Sequence, residues 1–189
     1  EKSAESSEPK YGLALSIASA RKRLGGSPLF VTYPRDRIPL DHLGLARMLG
    51  GAKRPGLPTG CFVEINGREG AGKTSTTMCL ARGVIHRPAG VHRVLCTEDG
   101  KLRDFPLPRR VGIIDFEHTF DVEYARAAIP GAKFLEVDRE TGEMLNLDEA
   151  NILLHQPRFM EEGIELFIEL VESKEVGAVI IDSVPAMLP

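Results

Sequence analysis

Three cysteines in 189 residues, at positions 61, 79 and 96, are too few and too scattered for a disulfide framework or a zinc site. No stretch approaches the roughly 18 consecutive apolar residues of a membrane span, and no charged-then-apolar signal segment opens the chain. Neither sign of charge dominates: 24 Lys and Arg stand against 27 Asp and Glu, for a net charge of -3. That balance neither suggests nor excludes nucleic acid, because binding needs a local basic stripe and not a basic total. The basic clusters at 21–23, 53–54 and 109–110 are short and read as solvated faces. We expect a reduced, cytoplasmic protein with no membrane partner.

What is present is an ordinary globular composition, 42% hydrophobic and 27% charged, which excludes a wholly disordered chain. The length suits one domain, or one domain and a small appendage. Residues 1–10 are Ser- and Glu-rich and read as a mobile tail. Leu13, Ile17, Ala20 and Leu24 then form a helical stripe that Gly25-Gly26 ends. One helix cannot be its own core, so this stripe must dock on the domain or on another chain. A connector with a β-like run, Leu29-Phe30-Val31, leads to a second expected helix, Asp41 to Leu49, closed by Gly50-Gly51.

From residue 61 strands and helices alternate. Cys61–Ile65 reads as a short buried strand, followed by a Gly-rich turn and a helix from Lys73 to about Ile85. Val111–Asp115 is a second strand, with a helix around Val122 to Ala128; Ile152–Leu154 is a third. Met160, Ile164, Phe167, Ile168 and Val171 then mark one face of a helix. Val176–Asp182 is apolar enough to lie inside a parallel sheet. This alternation implies an α/β fold with a mainly parallel sheet. Two stretches interrupt it, 91–110 and 134–147, and both read as β-hairpin insertions, with bends at Glu98-Asp99-Gly100 and Arg139–Gly142.

Gly67-Arg68-Glu69-Gly70-Ala71-Gly72-Lys73-Thr74 fits the phosphate-loop pattern G-x-x-x-x-G-K-[ST], between an expected strand and an expected helix. The glycines let successive backbone N–H groups converge on one anion, and the helix that follows adds its positive end. This segment, with Ser75, is the expected nucleotide-phosphate site; Lys73 reaches the β- and γ-phosphates, and the Thr74 hydroxyl ligates Mg²⁺. Nucleotides bind at the C-terminal edge of a parallel sheet, where the last strand delivers Asp182 as a second support for Mg²⁺. Glu117 follows the strand that ends at Asp115 and is the natural group to accept a proton from the attacking water, or to orient it. Cys61 and Cys79 read as small buried residues.

These residues, in this order, resemble the N-terminal helix and ATPase core of the RecA-type recombinases, closest to the bacterial and phage branch. The resemblance runs through Leu57-Pro58-Thr59-Gly60, Glu64-Ile65, Glu69 and Gly72-Lys73-Thr74. It continues with Ile114-Asp115-Phe116-Glu117-His118, Asp121, Tyr124-Ala125-Arg126, Gln156-Pro157 and Ile181–Ala186. It implies a RecA-like P-loop NTPase core and a DNA-dependent ATPase in which Glu117 and Lys73 are the catalytic side chains. It also implies that Asp121 and Tyr124 contact the adenine, Tyr124 by stacking. Residues 11–40 resemble the family's subunit-joining arm, so the expected division is tail 1–10, oligomerisation arm 11–40 and core 41–189. The implied function is a recombinase that forms filaments on single-stranded DNA for homologous pairing and strand exchange.

Arg68 stands where bacterial members usually carry Pro, Phe116 replaces a small residue, and the two insertions are atypical. The chain ends at Pro189, before the region where the family keeps its DNA-binding loops, so we expect a fragment of a longer protein whose DNA contacts lie beyond residue 189. The second reading is a RecA-like regulatory or assembly module that binds ATP without exchanging strands. A hexameric helicase motor suits Glu117-His118 with Asp121 and Tyr124 less well.

Overall fold

The computed structural model describes residues 36–95 and 102–184. The expected tail, the Leu13–Leu24 stripe and the Leu29–Val31 run lie outside these residues, as does the bend at 98–100. In chain order the elements are β1 (Arg37–Ile38), α1 (Leu43–Gly50), β2 (Leu57–Pro58), α2 (Lys73–Ile85), β3 (Val91–Leu95) and β4 (Leu102–Pro106). After these come β5 (Arg110–Asp115), α3 (Val122–Ala128), β6 (Ile152–His155), α4 (Met160–Ser173) and β7 (Val176–Asp182).

Three strands form a parallel sheet in the order β6-β5-β7. β5 is central, and Val111, Ile113 and Ile114 have 0% exposure because both its faces are covered. Strand alternation divides those faces. Val111 and Ile113 pack with Met78, Ala81 and Val84 of α2, Ala125 of α3 and Ile152 of β6, whereas Gly112 lies against Leu170 of α4. Helices thus cover both faces of one sheet, the α/β layering expected. The antiparallel pair β1–β2 closes the same core from the side, contributing Ile38 and Leu57.

Two expectations need correction. Cys61–Ile65 is not a buried strand: no pairing forms there among the described residues, and Phe62 is 94% exposed. Val63 and Ile65 instead line an open groove against Leu45, Met48 and Leu49 of α1. Cys61 and Cys79 are likewise exposed. β7 pairs with β5 but has no second neighbour among the described residues, so its side chains are half-buried where an interior strand would be covered. In α4, Gly163 and Leu170 meet the sheet side, while Ile164, Ile168 and Val171 of the expected apolar face keep 36%, 47% and 53% exposure.

The first insertion is a hairpin, with β3 and β4 antiparallel from Val91 opposite Pro106 to Leu95 opposite Leu102. The second is not a regular one. It has a single antiparallel bridge, Val137 to Met144, and Phe134 bridges in parallel to Ile152 at the sheet edge. Two backbone bonds cross it, Asp138 N to Glu143 O and Leu145 N to Glu136 O, and side chains extend them: Asn146 Oδ1 accepts from Glu136 N at 2.8 Å, and Asp138 Oδ1 accepts from the Glu140 and Thr141 N–H groups at 2.8 Å each. At the start of α1 the cap is His42, whose Nδ1 accepts from Leu45 N at 3.0 Å; Asp41 pairs with Arg82 of α2.

The seating of α2 can be tested at Gly83. A Cβ there would lie 2.5 Å from the Pro39 carbonyl oxygen and 2.7 Å from Leu40 Cδ2. Alanine gains about 1 kcal/mol of helix propensity over glycine, whereas overpacking against backbone costs about 1–3 kcal/mol. The overlap wins, so Gly83→Ala should lower stability by about 1 kcal/mol in urea denaturation. An increase would show that α2 is seated less tightly.

Candidate nucleotide site

The site is built where α2 begins and the parallel strands end. Ahead of α2 the backbone turns through Gly70 at φ +73° and Gly72 at φ +81°, left-handed conformations that favour glycine. A Cβ built on either residue meets nothing within 4 Å, so the space above the turn is open. Lys73 folds back over the loop, its Nζ donating to the Gly67 and Arg68 carbonyls at 3.3 Å each. These weak contacts leave the ammonium at the helix N-terminus, where an anion would replace them. Arg68 and Glu69 are exposed on the same turn, and Ala71 N closes it onto Arg68 O at 3.1 Å.

Thr74 Oγ1 donates to Asp182 Oδ2 at 3.3 Å, joining the first turn of α2 to the end of β7. Burial pushes the Asp182 carboxyl above its usual range, and the charges of Glu117 and Asp115 push in the same direction; the Thr74 hydrogen bond and Lys73 oppose them. A carboxylate held against like charges beside a hydroxyl is a place where a cation is favoured. The donor set is hard oxygen, which suits Mg²⁺; that ion takes one or two protein ligands and leaves the rest to phosphate and water. The residues fit a Mg²⁺–nucleotide: the Thr74 hydroxyl and the Asp182 carboxylate are the oxygen donors that meet here.

Glu117 is exposed just beyond β5, and Ser183 Oγ donates to its Oε1 in a short hydrogen bond. Ser183 directly follows Asp182, across a cis peptide. Thr74, Asp182 and Glu117 are thus brought together at one edge. Tyr124 comes to the same helix end: its hydroxyl bonds Ser75 Oγ at 2.8 Å, and its ring is 43% exposed. Asp121 stands at the N-terminus of the same helix, where its Oδ1 caps α3 by accepting from Tyr124 N at 2.9 Å.

Sequence reasoning assigned no role to three groups found here. Asp115, at the end of β5, is 1% exposed and accepts from Phe120 N at 3.0 Å and from Gln156 Nε2 at 2.9 Å. The Ser183 hydroxyl was visible only as part of a motif. A buried strand ending in Asp, with an amide after the neighbouring strand, was the available signal for the pairing of Asp115 with Gln156.

A glycine-turned loop, a Lys-Thr pair opening a helix and an acid ending a neighbouring parallel strand define a P-loop NTPase core. No protein-family model matches the chain. It is similar to proteins named RecA: 31% identical to that of Cytophaga hutchinsonii across 80% of this chain and 32% of the relative. To the RecA of Wolinella succinogenes it is 31% identical across 88% of this chain and 35% of the relative. The match to RecA 1 of Myxococcus xanthus is 27% identical across 96% of this chain and 43% of the relative. The resemblance to RecA-type recombinases therefore extends over most of this sequence, and the fold is a RecA-like core. The chain spans about a third of the length of the first two relatives.

The Asp182 environment makes a stability prediction. A carboxyl whose folded pKa is raised above its unfolded value favours the fold when protonated, and that stability is lost as pH rises through the folded pKa. Without divalent cation, Asp182→Asn should therefore melt higher than wild type at pH 7, and the gain should vanish below the ordinary value of 3.8. Mg²⁺ with ATP should reverse the order at pH 7 by stabilising the wild type alone. Thermal melts with and without chelator decide this, and a lower melting point for Asp182→Asn in chelator would contradict it.

Proposed function

We propose that this chain carries the ATPase core of a DNA recombinase that forms filaments on single-stranded DNA and drives homologous pairing and strand exchange. The observation that carries the reading is the continuity Thr74–Asp182–Ser183–Glu117, which joins the helix that opens after the 67–72 turn to two acidic side chains along one sheet edge. The similarity to proteins named RecA supports the DNA and filament parts of the reading.

In this mechanism the 67–72 backbone and Lys73 hold the phosphates of ATP, and the Tyr124 ring stacks on the adenine. Mg²⁺, when bound by Thr74 and Asp182, supplies charge neutralisation for phosphoryl transfer. Glu117, kept in place by the Ser183 hydroxyl, orients the attacking water or takes its proton. Catalysis is then positioning plus electrostatic stabilisation. Residues 41–189 carry this core, and we assign 11–40 to the joining of neighbouring subunits. A neighbour meeting the site across the nucleotide would let filament assembly control hydrolysis.

Hydrolysis by the full-length protein, with and without single-stranded DNA, tests the proposal. DNA should stimulate turnover strongly, and Glu117→Gln should abolish it while nucleotide still binds. Lys73→Ala should reduce turnover by at least about 100-fold. Turnover indifferent to DNA would point to an assembly module without strand exchange, and unchanged turnover in Lys73→Ala would refute the site.

A further inference from the structure

We propose that Asp115 and Gln156 form a buried clamp that fixes the turn carrying Glu117, which makes them positioning residues for hydrolysis. The inference rests on the reading of Glu117 as the water-directing carboxylate. Its starting point is a cost: a carboxylate at 1% exposure gives up hydration that only good hydrogen bonds can replace. Both partners of Asp115 are neutral donors meeting the same oxygen, Oδ2. An apolar side chain in that place would serve packing at least as well, so packing alone does not account for the acid.

The two donors are informative in their placement. Phe120 N lies five residues on, so the carboxylate staples the turn 116–119 closed behind Glu117. Gln156 follows β6, so the same oxygen ties that turn to the neighbouring strand. Other contacts immobilise the rest of the turn. Phe116 N donates to Asp182 O at 2.8 Å, extending the β5–β7 pairing by one residue. The Phe116 ring lies over Gly163 of α4, where a Cβ would come within 2.2 Å of it. His118 adopts a left-handed φ of +56°, and its Nε2 bonds the Pro157 carbonyl at 2.8 Å.

Every anchor thus falls on the backbone or side chains flanking Glu117, while the Glu117 carboxylate stays exposed with Ser183 as its partner. A reacting group needs that combination, access for substrate with little freedom of its own. Loss of the clamp should therefore appear in the chemical step. It should not appear in nucleotide affinity, because the hydrogen bonds of Asp115 run to Phe120 N and Gln156 Nε2, behind the Glu117 turn and not to the phosphate loop.

Gln156→Leu in the full-length protein removes one donor and keeps the bulk. We expect kcat to fall about 30-fold, within the range that misplacement of a reacting group produces, with the Kd for ATP unchanged within about twofold. In a Glu117→Gln background the same change should add almost nothing to the loss of turnover, yet lower the melting temperature as much as it does alone. If Gln156→Leu fails to fold, Gln156→Asn, which shortens the donor but keeps the amide, should show a smaller fall in kcat at unchanged Kd. Unchanged kcat with a lowered melting temperature, or kcat and affinity falling together, would overturn the clamp. If Glu117→Gln alone leaves turnover intact, the reading of Glu117 fails instead.

Discussion

The pairing of β5 with β7 in parallel, with Asp115 opposite Asp182, is the constraint on which the site depends. Strands lie about 4.8 Å apart, so this register sets two carboxylates side by side and delivers Glu117 two residues beyond Asp115 and Ser183 one residue beyond Asp182. A slip of one residue would turn every side chain of β7 to the other face and carry Asp182 away from Thr74. Gly177 opposes such a slip, because a Cβ in its place would lie 2.6 Å from the Pro108 carbonyl oxygen and from Val84 Cγ1. A missing side chain thus helps to align charge.

Such an alignment costs energy, and the surrounding groups divide the cost unequally. Asp115 is buried and satisfied by donors within the protein, from Phe120 and Gln156. Asp182 is more open and less satisfied, with its carboxyl pushed up by burial and by its acidic neighbours. The first arrangement suits a structural anchor; the second suits a ligand waiting for a cation. Two acids on adjacent strand ends therefore serve different ends because their surroundings differ, not their chemistry.

Much of this was legible in the sequence because the relevant signals are local. The Gly-x-x-x-x-Gly-Lys-Thr spacing located the start of α2, and the apolar run before Asp182 located β7 with its bounds. Cys61–Ile65 misled because an apolar run states a preference for burial but does not supply a partner; Phe62 and Val63 remain exposed. In the 134–147 insertion the bend falls at 139–142 as expected, and the pairing beside it stays short because Asn146 and Asp138 also satisfy the backbone from their side chains. The pairing of Asp115 with Gln156 spans 41 residues of sequence and becomes visible only when β6 lies beside β5. Phe116, an apparent oddity in the motif, is matched by the missing side chain at Gly163.

If the start of α2 and the ends of β5 and β7 form a single metal–nucleotide site, a crystal structure of the full-length protein with a non-hydrolysable ATP analogue and Mn²⁺, located by its anomalous scattering, will show it. One manganese peak should lie between the Thr74 hydroxyl and the Asp182 carboxylate, with the terminal phosphate facing Glu117. A nucleotide bound away from the 67–74 loop, or a metal that leaves Thr74 and Asp182 in direct contact, would contradict it.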